Sequence, residues 1–330
     1  MLARETAGKP DRMAHALAGL RAYQEAPRDP PVEPMPAIAE IMGATLRDYG
    51  GEGQPVLFVP SLINPPTVLD LGERSLLRWL AARGHRVLLL DWGDEVRARA
   101  SLSIAGHVTE VLLPLIARIE PHPALVGYCL GGTMALAAAA STPVPSLTTI
   151  AAPWRFSGYG AEARDQLAAL WSNAQPAVSA LGVLPMEMLQ SAFWMLDPQR
   201  TIAKFEVLAS IEPGSPKARS FVQLEDWAND GPPIGGAAAC ELFEDFLDRD
   251  VPGCSGWRVG DRIVDPLALP CPALHILSTV DRIVPAASAP TGGERLELAL
   301  GHVGMVVGGR AREALWEPLD GWLSQQRPAW

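Results

Sequence analysis

The chain has 330 residues, 48% of them hydrophobic and 19% charged, which is enough to bury a large core and long for one domain. A net charge of −10 with no basic run excludes the electrostatic footprint of a nucleic-acid binder. Apolar runs such as "VLLPLIA" are too short to span a bilayer, no secretory leader is visible, and four scattered cysteines show no metal-ligand spacing. A cytoplasmic protein with reduced thiols and no bound metal is the expectation.

In chain order, residues 1–50 read as an N-terminal arm. Its helix is expected over residues 12–26, followed by the linker "PRDPPVEPMP", whose five prolines favour an extended path. From Ala44 the pattern becomes regular, and residues 51–330 read as one domain. "ATLRDYG" and "PVLFVPS" read as strands around the turn "GGEG". "GERSLLRWLAARG" sets Leu76, Leu77 and Leu80 on one helical face and stops at Gly84. "HRVLLLDW" is a continuous apolar run, as expected of a parallel strand covered on both faces. A helix over 103–119, the strand "ALVG", an alanine-rich helix and the strand "SLTTIAA" follow. This alternation predicts an α/β fold: a mostly parallel sheet with helices on both faces. It lapses between about 154 and 255, read as a cap insertion, and resumes with "CPALHIL", "ERLELAL" and the closing helix "GRAREALWEPLDGWLSQ".

The chemistry is concentrated in "LVGYCLGGTMALAAAA", residues 125–140. A strand delivers a cysteine into a nest of glycines, and the chain then turns into a helix. Gly127-Tyr128-Cys129-Leu130-Gly131 matches the nucleophile elbow G-x-S-x-G, with cysteine in place of serine. That elbow belongs to the α/β-hydrolase fold, in which the acid and the histidine follow the nucleophile in that chain order. Asp281 leaves the end of a late strand in "LHILSTVDRIVP", and His302 follows the last strand in "LELALGHVGMV". Alone, each is an ordinary loop residue; together with the elbow they predict a Cys129-Asp281-His302 triad at the carboxyl edge of the sheet. His275 lies mid-strand and reads as a packed core residue. His107 and His122 fall on the wrong side of the sheet, Asp261 and Asp265 near the amino end of a strand. Cys240, Cys254 and Cys271 lack an elbow.

The segments "VPSLINPPTVLDL", "LLRWLAARGHRVLLLDWG", "VGYCLGGT", "LEDWANDGPP", "DRIVP" and "GHVGMVVGG" resemble the catalytic domain of polyhydroxyalkanoate synthases, closest to the short type that works with a partner subunit. The similarity runs from about residue 46 to 323 and includes the insertion. It implies acyl transfer from 3-hydroxyacyl-coenzyme A to a growing polyester, with Cys129 as nucleophile, Asp281 as acid and His302 as base. The thioester is the substrate, and no cofactor or metal is implied. A second synthase subunit or a homodimer, and the surface of a polyester granule, are the implied partners and place. Two departures stand out: Arg282 follows the aspartate where the family often has histidine, and the glycine-rich approach to the histidine is reduced to "LGHVG".

The oxyanion is expected to sit between the backbone N–H groups of Leu130 and Ile63. Trp171, Phe193, Trp194 and Trp227 in the insertion suit a site that excludes water, or equally a small core of the insertion's own. Two alternatives share the fold: a cysteine-dependent thioesterase or polyester depolymerase, and a non-catalytic granule-associated subunit.

Overall fold

The computed structural model describes residues 2–326 apart from Glu73 and Glu95; within the helix at 186–196 the side chains of Ala192, Phe193, Met195 and Leu196 also lie outside the described residues. Contacts divide the chain into two units. One comprises residues 34–185 and 232–330, the other residues 1–33 and 186–231.

The first unit is built on eight strands: β1 (Ala37–Ile41), β2 (Ala44–Asp48), β3 (Pro55–Val59), β4 (Arg86–Asp91), β5 (Ala124–Tyr128), β6 (Leu147–Ile150), β7 (Ala273–Ser278) and β8 (Glu294–Leu298). They lie in the order β1-β2-β4-β3-β5-β6-β7-β8. From β4 to β8 every pairing is parallel; only β1 with β2 and β2 with β4 are antiparallel. The central strands β3, β5 and β6 are buried at every residue, which is why they read as unbroken apolar runs.

The division expected at residue 50 is displaced by this sheet. β1 and β2 belong to it, so the first 50 residues are not one arm; the break between units falls after Glu33. β1 escapes a hydrophobic-run search because it is an exposed edge strand carrying Glu40. Its turn is made by Met42 and Gly43, both at positive φ (50° and 75°), the geometry of a tight hairpin. Arg99 holds this corner, donating to the Met42 and Trp92 carbonyls at 2.5 Å each.

Between β6 and β7 the chain is mostly helical, broken by two pairs of two-residue strands, and its first α-helix is Ala161–Leu181. Trp171 stacks on Phe243 at 5.1 Å and donates to Glu244, so it serves as local core. Trp194 is 39% exposed and Trp227 half-buried; the side chain of Phe193 is among those not described.

The second unit packs the helix Pro10–Glu25 against Pro198–Ala209, with Met186–Leu196 and Pro216–Asn229. "DPQR" and "SPKA" start two of these helices. Asp197 and Ser215 cap the N–H groups of Arg200 and Ala218, and proline occupies the first turn, where its missing N–H is not needed. A Cβ on Gly19 would lie 1.8 Å from the Phe205 carbonyl, so only glycine permits this helix crossing. Arg12–Glu206 (2.7 Å), Tyr23–Asp226 (2.6 Å) and Lys204–Glu225 (2.6 Å) join the two chain segments or brace the unit. A cavity of about 420 Å³, lined chiefly by Leu20, Tyr23, Trp194, Ile202 and Phe205, lies inside it. No helix among the described residues is long and apolar enough to cross a membrane.

Candidate active site

The elbow forms where β5 meets the helix Leu130–Ser141. Cys129 sits at φ 55°, ψ −132°, a conformation that costs about 1–3 kcal/mol and is held by its surroundings. Its N–H donates to the Ile150 carbonyl (2.9 Å) and its carbonyl accepts from Gly132 N–H (2.8 Å). The glycines are there because backbone passes too close. A Cβ on Gly131 would stand 2.1 Å from the Val59 carbonyl oxygen, and one on Gly127 would stand 2.4 Å from Gly132 Cα. On Gly132 it would meet the Ala152 side chain at 2.4 Å.

Asp281 follows β7, and its carboxylate is fixed three times. Oδ1 accepts from the N–H groups of Ile283 (2.7 Å) and Val284 (3.1 Å), while Oδ2 faces His302 Nδ1 at 2.6 Å. Both side chains are buried. The loop that carries His302 back from β8 is pinned by Ser278, whose hydroxyl donates to the Leu300 carbonyl at 2.5 Å. Burial acts to lower His302, but the charge on Cys129, hydrogen bonds to Asp281 and Cys129, and the Asp281 charge together raise it to about 10. The three residues expected from the sequence therefore converge at the carboxyl edge of one sheet.

Leu130 occupies the first position of its helix, where an N–H has no partner within the helix. Ile63 differs from expectation: its N–H donates to Ser61 Oγ at 3.1 Å and is not free to meet an oxyanion. The same turn is braced by Trp92, whose indole N–H donates to the Pro60 carbonyl at 3.1 Å, so the "DWG" segment supports the elbow's neighbour.

The competing residues lie elsewhere. His275 is buried in β7 with Nδ1 against the Thr149 hydroxyl (2.8 Å), and burial, aided by Arg295, lowers it to about 4. His107 is likewise lowered to about 4 by burial and bonds the Ser103 carbonyl. Burial raises Cys271 to about 11 and Cys240 to a lesser degree, while Cys240 and Cys254 are exposed. No group of metal-ligating side chains is gathered among the described residues.

Two tyrosines were not singled out by sequence. Tyr128 packs its ring against that of His302 with centroids 5.1 Å apart. Tyr159 stacks on Phe156 in a short turn after β6. Burial first, then the charges of Cys129 and Asp281, push both phenols well above 10, so each stays a neutral donor. Asp250 fixes the Tyr159 turn by accepting from Phe156 N–H (2.7 Å) and Ser157 N–H (3.0 Å). Only the adjacency of Tyr128 to the nucleophile could have flagged either residue.

The sequence matches the model of the α/β-hydrolase fold family over residues 54–295. Solved structures agree at the level of fold: an esterase from Thermogutta terrifontis has a TM-score of 0.53 at 18% identity, covering 86% of this chain and 94% of that one. Est816, an N-acyl homoserine lactone degrading enzyme, has a TM-score of 0.52 at 18% identity over 87% of this chain and all of the other. Sequence relatives are narrower. The poly(3-hydroxyalkanoate) polymerase subunit PhaC of Synechocystis is 30% identical over 295 residues, 83% of this chain and 78% of the relative. That of Allochromatium vinosum is 29% identical over 297 residues (83% and 82%). That of Haloarcula marismortui is 27% identical over 305 residues (87% and 64%). The chain spans 64% and 59% of the lengths of the two haloarchaeal relatives, from Haloarcula marismortui and Haloferax mediterranei. An α/β hydrolase by fold, the chain belongs to the PhaC family of poly(3-hydroxyalkanoate) polymerase subunits.

Proposed function

We propose that this chain polymerises 3-hydroxyacyl-coenzyme A into polyhydroxyalkanoate through an acyl-Cys129 intermediate. The observation that carries the proposal is the imidazole of His302, bonded to the Asp281 carboxylate through Nδ1 and hydrogen-bonded to Cys129. The Cys129 thiolate attacks the thioester carbonyl, the bond to coenzyme A sulfur breaks, and the departing thiolate takes the proton from His302. Acylation leaves Cys129 uncharged, which removes the largest influence holding His302 up. The ring can then accept the proton of the hydroxyl at the polymer end as that oxygen attacks the acyl-cysteine. The new oxygen ester forms, the bond to Cys129 sulfur breaks, and His302 passes its proton to the next leaving thiolate. Leu130 N–H, first in its helix, is the donor offered to the developing oxyanion; Ile63 contributes only by leaving Ser61. No cofactor enters this scheme. A second synthase subunit, or a second copy of the chain, completes the assembly at the surface of a polyester granule.

The test is incubation of purified protein, alone and with a candidate second subunit, with 3-hydroxybutyryl-coenzyme A. Release of coenzyme A with insoluble polyester is the expected result. Release with free 3-hydroxybutyrate only would replace polymerisation by thioester hydrolysis.

A further inference from the structure

Asp281 holds His302 through a single ring nitrogen, Nδ1. That bond sets the tautomer and the ring is bonded to Cys129 as well, but these two end contacts still leave it free to tilt about the line joining them, and any tilt moves Nε2 relative to the sulfur. Something must remove that freedom. The loop that carries His302 has to reach back across the edge of the sheet, since β8 lies at its end and β5 three strands away. Ser278 anchors this loop at Leu300, two residues short of the histidine.

The last residue of β5 completes the restraint. The Tyr128 hydroxyl donates to the backbone carbonyl of His302 at 3.3 Å. Its ring lies on the imidazole with centroids 5.1 Å apart and planes 32° apart, within the range in which aromatic faces attract each other or a cation. Tyr128 is 3% exposed and immediately precedes the nucleophile, so the same residue is rigidly tied to Cys129 by one peptide bond and to His302 by two contacts.

We infer that Tyr128 is a positioning residue that fixes the His302 ring and carbonyl relative to Cys129, acting through its aromatic face and its hydroxyl. A filler residue in the strand would need neither contact; leucine would occupy the space. The inference rests on the proposed roles of Cys129 and His302 but not on the identity of the acyl substrate.

Tyr128→Phe keeps the ring and deletes the bond to the His302 carbonyl; Tyr128→Leu deletes both contacts. Three readouts separate positioning from packing: the alkylation rate of Cys129 by iodoacetamide, the downfield proton resonance of His302 Nδ1–H, and the split between kcat and KM for 3-hydroxybutyryl-coenzyme A. Alkylation and kcat should fall about tenfold in the phenylalanine variant and about a hundredfold in the leucine variant, the scale of loss from ångström-level misplacement. KM should hold, and the resonance should shift or broaden in the same order. Wild-type alkylation and an unmoved resonance in Tyr128→Phe, whatever its melting temperature, would overturn the inference, and that variant decides alone if Tyr128→Leu does not fold. If the graded alkylation holds while no coenzyme A is released, the positioning role stands and the polymerase proposal fails.

Discussion

His275 and His302 lie on or just beyond neighbouring strands of one sheet, and both are buried, yet their protons behave in opposite ways. In the sheet interior His275 meets a hydroxyl, its Nε2 finds no partner, and burial wins, so the ring stays neutral down to about pH 4. At the carboxyl edge His302 meets the Asp281 carboxylate and the Cys129 sulfur, and their charge and hydrogen bonds outweigh burial. The contrast shows that depth alone does not decide the charge of a histidine here; the strand end supplies the carboxylate and the sulfur that the strand middle cannot.

The comparison breaks first at Cys129. Cys129→Ala should abolish coenzyme A release and, by removing the largest influence that raises His302, move its titration downward; NMR titration of the ring checks the second point. An unmoved His302 would mean that Asp281 alone sets its charge. Next, His302→Gln should lower turnover by roughly 10⁴-fold or more with little change in melting temperature. Gly131→Ala forces a Cβ onto the Val59 and Pro60 carbonyls and should destabilise the fold by about 3 kcal/mol, read by denaturant unfolding.

His275→Gln should keep turnover while costing about 1–3 kcal/mol of stability. Its acid counterpart sharpens the sign. Because the folded-state value of His275 is depressed, the unfolded chain binds the extra proton, and stability falls as pH drops from about 6.5 to about 4 by about 3 kcal/mol. For His302 the folded value is raised, so its contribution is complete below about 6.5 and is lost as pH climbs toward about 10. Unfolding midpoints measured across both windows, in wild type and in each histidine variant, should separate the two slopes.

Much of this was legible in the sequence. "RVLLLD" and "ALVGY" announce buried parallel strands because both faces are covered, and the glycine spacing around Cys129 announces an elbow because backbone passes where a Cβ would go. Asp281 and His302 follow from chain order. What could not be read was set by contacts distant in sequence. β1 is an edge strand whose turn, Met42-Gly43, lacks the usual Asn-Gly or Asp-Gly signal. Ile63 reads from sequence as a free N–H because its bond to Ser61 depends on how the turn folds. Asp250 lies 94 residues from the Phe156 amide that it accepts from. The helical unit could not be foreseen at all, since it joins residues 1–33 to 186–231 across intervening sheet.

That joining has a consequence during synthesis. The helix Pro10–Glu25 leaves the ribosome long before Pro198–Ala209, the helix that closes over Gly19. At about 5–20 residues per second, its partners trail by roughly ten to forty seconds. Through that interval Ala16, Leu20 and Tyr23 have no cognate surface to bury against, and they are available to a chaperone or to the same helix of a neighbouring nascent chain. Polysome spacing and chaperone supply, rather than the stability of the finished sheet, would then govern how much of this protein is recovered intact.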